Sequence, residues 1–187
     1  MGETAGAGAA GATLVVLRGN SASGKSTIAQ EMRSRLGRGV AWVEQDYIRR
    51  ILLRERDLPG GVNIGLISQT VRYALDHGYD VVLEGILDAS RYAPMLRELV
   101  TGHRGPALHY YVDVSFAETL RRHAGRPRQA AEFGEAELRR WYQPRDFLPH
   151  VTETILGEGE TLDDIVRRIV SDMHAARAGR TTDLSGH

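Results

Sequence analysis

The 187-residue chain has no cysteine. Disulfides, thiolate metal ligands and thiol nucleophiles are excluded together, and the composition suits a reducing compartment, so a cytoplasmic protein is expected. Neither charge is in surplus: 24 basic and 24 acidic side chains give a formal net charge of +0. A protein that grips a phosphate backbone usually carries a basic excess, so this balance argues against nucleic acid as a partner. Aromatic residues are scarce, at 6%, which leaves little for the stacking channel that single strands require. No apolar run approaches the roughly 18–20 residues needed to cross a bilayer. Residues 1–12 lack the basic end and leucine-rich stretch of a secretory signal and read as a small-residue flexible arm.

Lysine is nearly absent. Of the basic residues 23 are arginine, and Lys25 is the sole lysine. Either codon bias left one by chance, or arginine could not serve at that position.

The elements alternate. Thr13-Leu-Val-Val-Leu-Arg-Gly19 is a β-branched apolar run suited to a buried parallel strand, followed by helical spacing from Ser26 to Leu36. Val40 to Asp46 predicts a second strand, Tyr47 to Arg56 a helix, and Asn63 to Leu75 a longer helix. Strands over 80–85 and 106–113 flank a helix around 92–100. Ser115 and Glu118 form a capping-box pattern before the next helix. Helices over 134–142 and 161–176 follow, with a short strand at 152–156. Such alternation predicts one α/β domain over 13–177, with a five-stranded, mostly parallel sheet between two helical layers and a loose tail over 178–187. Ligands of such sheets bind beyond the carboxyl ends of the strands. Here those ends carry Glu44, Asp46, Glu84 and Asp113.

Gly19-Asn20-Ser21-Ala22-Ser23-Gly24-Lys25-Ser26 matches G-x-x-x-x-G-K-[ST], with Thr27 next, placed between an apolar strand and a helix as a phosphate-binding loop requires. Glycines let successive backbone N–H groups turn towards phosphate oxygens, and the helix N-terminus adds its partial positive charge. Lys25 brings a compact ammonium to the β- and γ-phosphates, and Ser26 offers a hydroxyl to Mg²⁺. A planar guanidinium is a poor substitute in so tight a loop, which accounts for the solitary lysine. ATP with Mg²⁺ is the expected ligand.

The second strand end carries Glu44 and Asp46 at i and i+2, expected on one side of the sheet. A carboxylate near the γ-phosphate can take the proton of an attacking hydroxyl, a role suited to Asp46; alternatively Asp46 caps the segment that follows. Glu44, Arg49, Arg50, Asp88 and Arg91 lie near the same edge and could hold a polar acceptor. Trp141-Tyr142 could line that acceptor or pack a helix. The seven histidines show no metal-ligand spacing.

The phosphate loop, the Glu-Gln-Asp46 strand end, Val-Leu-Glu84-Gly85 and the arginine-rich stretch after Asp113 resemble the small P-loop kinases, among them chloramphenicol phosphotransferase, zeta toxin, gluconate and shikimate kinases and the kinase module of polynucleotide kinases. The resemblance covers roughly residues 13 to 175. It implies a P-loop NTPase fold with an arginine-bearing lid, and a transfer of the γ-phosphoryl group of ATP to a hydroxyl of a small acceptor, a metabolite or an antibiotic. It further implies Asp46 as base or substrate anchor, Glu84 as a contact to Mg²⁺-bound water or acceptor, and lid arginines drawn from Arg121 to Arg128, with Arg122 and Arg126 the chosen pair. A nucleotide or nucleic-acid 5′-end kinase, and a nucleotide-gated switch or toxin-like partner protein, are the competing readings.

Overall fold

A computed structural model describes residues 11–125 and 133–183. Five strands form the sheet: β1 (Leu14–Gly19), β2 (Val40–Glu44), β3 (Asp80–Gly85), β4 (Ala107–Asp113) and β5 (Thr154–Gly157). Their order is β2-β3-β1-β4-β5 and every pairing is parallel. Helices α1 (Lys25–Leu36), α2 (Val62–Asp76), α3 (Ala89–Gly102), α4 (Phe116–Ala124), α5 (Glu135–Trp141) and α6 (Leu162–Asp183) connect and cover them. This is the α/β/α sandwich expected, and all of its strands are parallel.

Strand alternation explains the layers. In β1, Leu14 and Val16 face a core with Ile67 and Val71 of α2 and Leu96 and Leu99 of α3. Val15 and Leu17 face the opposite core, with Ile28 and Met32 of α1 and Ile165 and Ile169 of α6. Those four β1 side chains are fully buried, each contributing about 1.5–3 kcal/mol relative to exposure. A strand covered on both faces has no polar side to show, hence the continuous apolar run. Trp42, expected in the core, is half-buried beside the α1–α6 layer.

The following residue breaks this pattern. Arg18 is fully buried at the active edge, donating from Nη1 to both carboxylate oxygens of Glu153 (2.9 Å each), from Nη2 to Asp146 (2.8 Å) and from Nε to Leu87 O (2.9 Å). The guanidinium thereby ties the first strand to the segment that returns from α5.

Two elements differ from expectation. The segment after β2 is a single π-helical turn, Tyr47–Leu52, closed by Leu53 N to Ile48 O at 3.0 Å, in place of an α-helix to Arg56. Arg54 follows with a φ of 55°, a left-handed backbone that stops helical propagation. At the other end α6 continues to Asp183, beyond the boundary expected at 177; Arg177 pairs with Asp80 and donates to Thr13 Oγ1 at 3.0 Å, fastening that stretch to the sheet. Among the described residues no helix is long and apolar enough to cross a membrane.

Candidate active site

The phosphate loop leaves β1 at Gly19, where φ is +143° and a Cβ would sit 2.6 Å from Val112 O. No other residue fits there. The loop then turns through Ala22, itself left-handed at φ 59°, into α1. Lys25 is buried, its Nζ donating to Asn20 O at 2.7 Å and to Ser23 Oγ at 3.3 Å. The ammonium thus folds back over its own loop, and Ser26 and Thr27 stand exposed at the helix start.

Asn20 has a different task from its loop neighbours. Its Nδ2 donates to Gln143 O at 2.9 Å, and its Oδ1 accepts from Gln143 N at 2.8 Å. This two-point clasp joins the loop backbone to the chain leaving α5.

The acidic residues divide into two groups. Ser26 Oγ donates to Glu84 Oε1 at 2.8 Å, and Glu44 pairs with Glu84 in sheet register. Burial raises the Glu44 carboxyl above its ordinary range, with the neighbouring Glu84 and then Asp46 pushing the same way. Sheet pairing ends at Glu44, and Asp46 already has helical backbone (φ −66°, ψ −35°). Asp46 therefore leaves the strand alternation that would have set it beside Glu44. Its side chain makes no capping bond to the turn; Oδ1 accepts from Arg49 Nη2 at 2.7 Å instead.

Asp46 opens onto a cavity of about 480 Å³ that also contacts Ser21 of the loop. Arg49, Arg50, Asp88 and Arg91, expected near this edge, all line it, as does Trp141. Arg56, Asp57 and Arg140 line it too and carry no sequence signal. Glu44 and Glu84 belong to the Ser26 side. Asp88 starts α3, accepting from Ser90 N at 2.9 Å and from Arg91 Nη2 at 2.9 Å. Burial opposes its ionisation, but the bonds from Ser90 and Arg91 outweigh that and hold its carboxyl below the ordinary range.

Beneath the cavity lies a strained floor. Leu87 is fully buried at φ 45°, its N–H donating to Gln45 Oε1 at 3.0 Å while its carbonyl accepts from Arg18 Nε at 2.9 Å. A left-handed leucine costs of order 1–3 kcal/mol and persists because both flanking groups hold it. Gln45 approaches so closely that a Cβ at Gly85 would lie 2.3 Å from Oε1. Tyr92 Oη donates to Asp57 at 2.7 Å and accepts from Asn63 Nδ2 at 2.8 Å, completing the support.

A second cleft of about 230 Å³ opens on the other side of the loop, lined by Ser23, Thr27, Val112, Val114, Arg122 and Ile165 among others. Arg122 Nη1 donates to Ser23 O at 2.5 Å and Nε to Glu118 Oε1 at 2.5 Å. Ser115 Oγ accepts from Glu118 N at 3.2 Å, as the capping pattern predicts. The Glu118 carboxylate does not return to the cap; Arg121 and then Arg122 hold it, depressing its carboxyl to about 2. Arg126 lies outside the described residues. A further depression of about 590 Å³ is lined by His109, Val151 and Asp172 among others, and the Asp172 carboxylate there accepts from Tyr110 Oη at 2.7 Å.

Residues 14–148 match the AAA domain family AAA_33. The chain belongs to that family. No curated relative matches it by sequence. Among solved structures, similar folds include a protein designated APE1195, at 23% identity and TM-score 0.70, covering 89% of this chain and 97% of that one. The APS kinase CysC of Mycobacterium tuberculosis, in complex with AMPPNP and APS, aligns at 19% identity and TM-score 0.67, covering 88% and 98%. A gluconokinase from Sinorhizobium meliloti 1021 aligns at 18% identity and TM-score 0.60, covering 95% and 98%. At such identities the likeness is one of fold: this AAA_33 chain is built as small P-loop kinases are.

Proposed function

We propose that the chain is an ATP-dependent phosphotransferase that moves the γ-phosphoryl group of ATP onto a hydroxyl of a small acceptor. The observation that carries this reading is a shared edge: the Lys25 loop and the Asp46 cavity meet at Ser21. A triphosphate on the loop would thus present its transferable end towards Asp46, a carboxylate able to receive a hydroxyl proton.

The loop amides and the α1 N-terminus hold the phosphates, and Lys25 exchanges its bonds to Asn20 and Ser23 for phosphate oxygens. The Thr27–Val112–Ile165 cleft takes the nucleoside side. The oxygen donors of Ser26 and Glu84, with Glu44 adjacent, suit a hard divalent cation. Among the described residues no group of three or more acidic or imidazole side chains encloses a metal unaided, which fits an ion that shares its shell with phosphate and water. Mg²⁺ held there by Ser26 and Glu84 would neutralise phosphate charge.

The acceptor oxygen attacks the γ-phosphorus in line, its proton passes to Asp46, the bond to the β–γ bridging oxygen breaks, and ADP leaves. Arg122, which donates to the loop carbonyl of Ser23, would take the charge that spreads over the transferred oxygens; Arg126 is a second candidate for that role. The test is ATP consumption across a library of hydroxyl compounds with mass detection of a singly phosphorylated product. Transfer to one or more acceptors above the rate with water is expected, and no acceptor exceeding water defeats the reading.

A further inference from the structure

Trp141 and Tyr142 are neighbours in sequence with different tasks. Tyr142 packs against α4: its ring meets Phe116 edge-on at 5.3 Å, and its Oη donates to Val114 O at 2.9 Å. Trp141 lines the Asp46 cavity instead and is left 42% exposed. Tryptophan is highly buried on average, and buried Leu138 already anchors α5 to the body of the protein. Helix packing therefore does not account for the place of the indole.

The indole is held in position. Phe133 meets it edge-on, with ring centroids 5.1 Å apart and planes at 61°, and Phe133 is itself stacked on His123 of α4 at 4.7 Å and 25°. His123 is buried, and its Nε2 donates to Phe133 O at 2.9 Å, so the ring and the backbone of Phe133 are both fixed. Phe133 also lines the cavity, as does Ile86 just past β3. Three apolar side chains, one of them a braced tryptophan, thus share a cavity with the polar residues around Asp46.

The two sets of residues suit different parts of a ligand. Asp46 pairs with Arg49 at 2.7 Å, and Arg91 pairs with Asp88 at 2.9 Å and Asp57 at 3.3 Å. Such groups can bond a hydroxyl, and they give no grip on a carbon skeleton. Trp141, Phe133 and Ile86 give that grip, in a volume that falls at the small-molecule end of known sites. A flat, fixed indole favours a flat partner. Contact between two rings is worth about 2- to 12-fold in affinity beyond the area it buries, and a rigid ring has fewer rotamers to surrender on binding than an open chain.

We propose that the acceptor is an alcohol built on a ring with a flat apolar face, and that this face lies on Trp141 while the hydroxyl reaches Asp46. The inference rests on the phosphotransferase reading for the word acceptor, and on the cavity alone for the ring. An aromatic ring and the carbon face of a cyclic sugar share this chemistry.

The experiment uses the full chain carrying Trp42→Phe, which leaves Trp141 as its sole tryptophan, since the sequence holds two and Trp42 lies beside the α1–α6 layer. Three arms set a ring alcohol beside an open-chain one: benzyl alcohol and heptanol, methyl glucopyranoside and sorbitol, uridine and ribitol. Calorimetry with a non-hydrolysable ATP analogue and Mg²⁺ gives Kd, Trp141 emission reports contact with the indole, and ADP release with ATP gives turnover. In one arm or more the ring member is expected to bind about fivefold tighter or better and to change the emission of Trp141. Trp141→Leu, which keeps apolar bulk without the flat face, is expected to lose that advantage, while Trp141→Phe keeps most of it and the open-chain member shifts less than about twofold in either. Equal binding of ring and open-chain members in every arm overturns the inference, and so does a Leu variant that behaves as the Phe variant does. Ring-selective binding without transfer upholds the ring site and defeats the phosphotransferase reading. Transfer to open-chain members with equal or better kcat/KM overturns the ring and leaves that reading standing. Affinity that climbs with the length of a 5′-hydroxyl oligonucleotide overturns the small ring acceptor in favour of nucleic acid.

Discussion

Replacing Asp46 with asparagine separates the two roles that its position allows. Asparagine keeps the size and an oxygen for Arg49 Nη2, now 2.7 Å from the carboxylate, but it cannot take a proton. The structural loss is small. The side chain is 56% exposed and makes no capping bond to the π turn, so only an exposed ion pair weakens, at about 0.2–1 kcal/mol. For a chain of this size that lowers Tm by no more than about 4 °C. Loss of a general base costs roughly 10²–10⁴ in turnover, or about 3–5 kcal/mol in the barrier. The loop that holds the triphosphate is untouched, so the Kd for Mg·ATP should stay within about twofold of wild type. A coupled ADP-release assay gives kcat and KM, and calorimetry gives the Kd. Turnover within about threefold of wild type would refute the assignment and leave Asp46 as a partner for Arg49 only.

Three further outcomes follow from the contacts. Asn20→Ala removes the two-point clasp on Gln143, which lines the acceptor cavity; KM for acceptor should rise about tenfold while ATP affinity moves less than about threefold, since backbone amides hold the phosphates. Equal shifts in both would mean that the side chain serves the nucleotide. Arg18→Met strands the buried Glu153 carboxylate and should cost about 3–5 kcal/mol in urea denaturation; a loss below about 1 kcal/mol would contradict the strut. His109 is buried, both ring nitrogens lack a partner among the described residues, and burial pulls its pKa from 6.5 down to about 4. The fold keeps it neutral, so stability is fully present above pH 6.5 and is lost as pH falls towards 4, by about 3 kcal/mol. His109→Leu should flatten most of that acid slope, and an unchanged slope between pH 7.5 and 4.5 would contradict it.

Periodicity made the frame legible because strand alternation and helical spacing are local properties. The phosphate loop was legible for the same reason: eight consecutive residues carry all of its chemistry. The acceptor cavity was legible only in part. Arg49, Arg50, Asp88 and Arg91 sit just past strand ends, where the topology must bring them to one edge. Arg56, Asp57 and Arg140 reach it through a loop and a later helix, and no local pattern marks them. Arg18 finds its partners Asp146 and Glu153 at sequence separations of 128 and 135 residues, beyond any spacing rule. Gln45, just past the strand end, supports Leu87 through a bond spanning 42 residues, which no local pattern marks. Tyr47 to Arg56 has α-helical residue preferences, and no local spacing marks the extra residue per turn of the π turn. Glu118 read as half of a capping box, yet two arginines outbid the single cap amide, as charge-assisted bonds do.

The central claim, that the turn around Lys25 wraps a nucleoside triphosphate, is met most directly by titrating ATP and GTP into the purified chain with and without Mg²⁺, beside Lys25→Ala. One triphosphate per chain should bind, more tightly with Mg²⁺, and the alanine variant should lose roughly tenfold or more in affinity while keeping its fold by circular dichroism. Absence of binding to either triphosphate, or an alanine variant that binds as well as wild type, would contradict it.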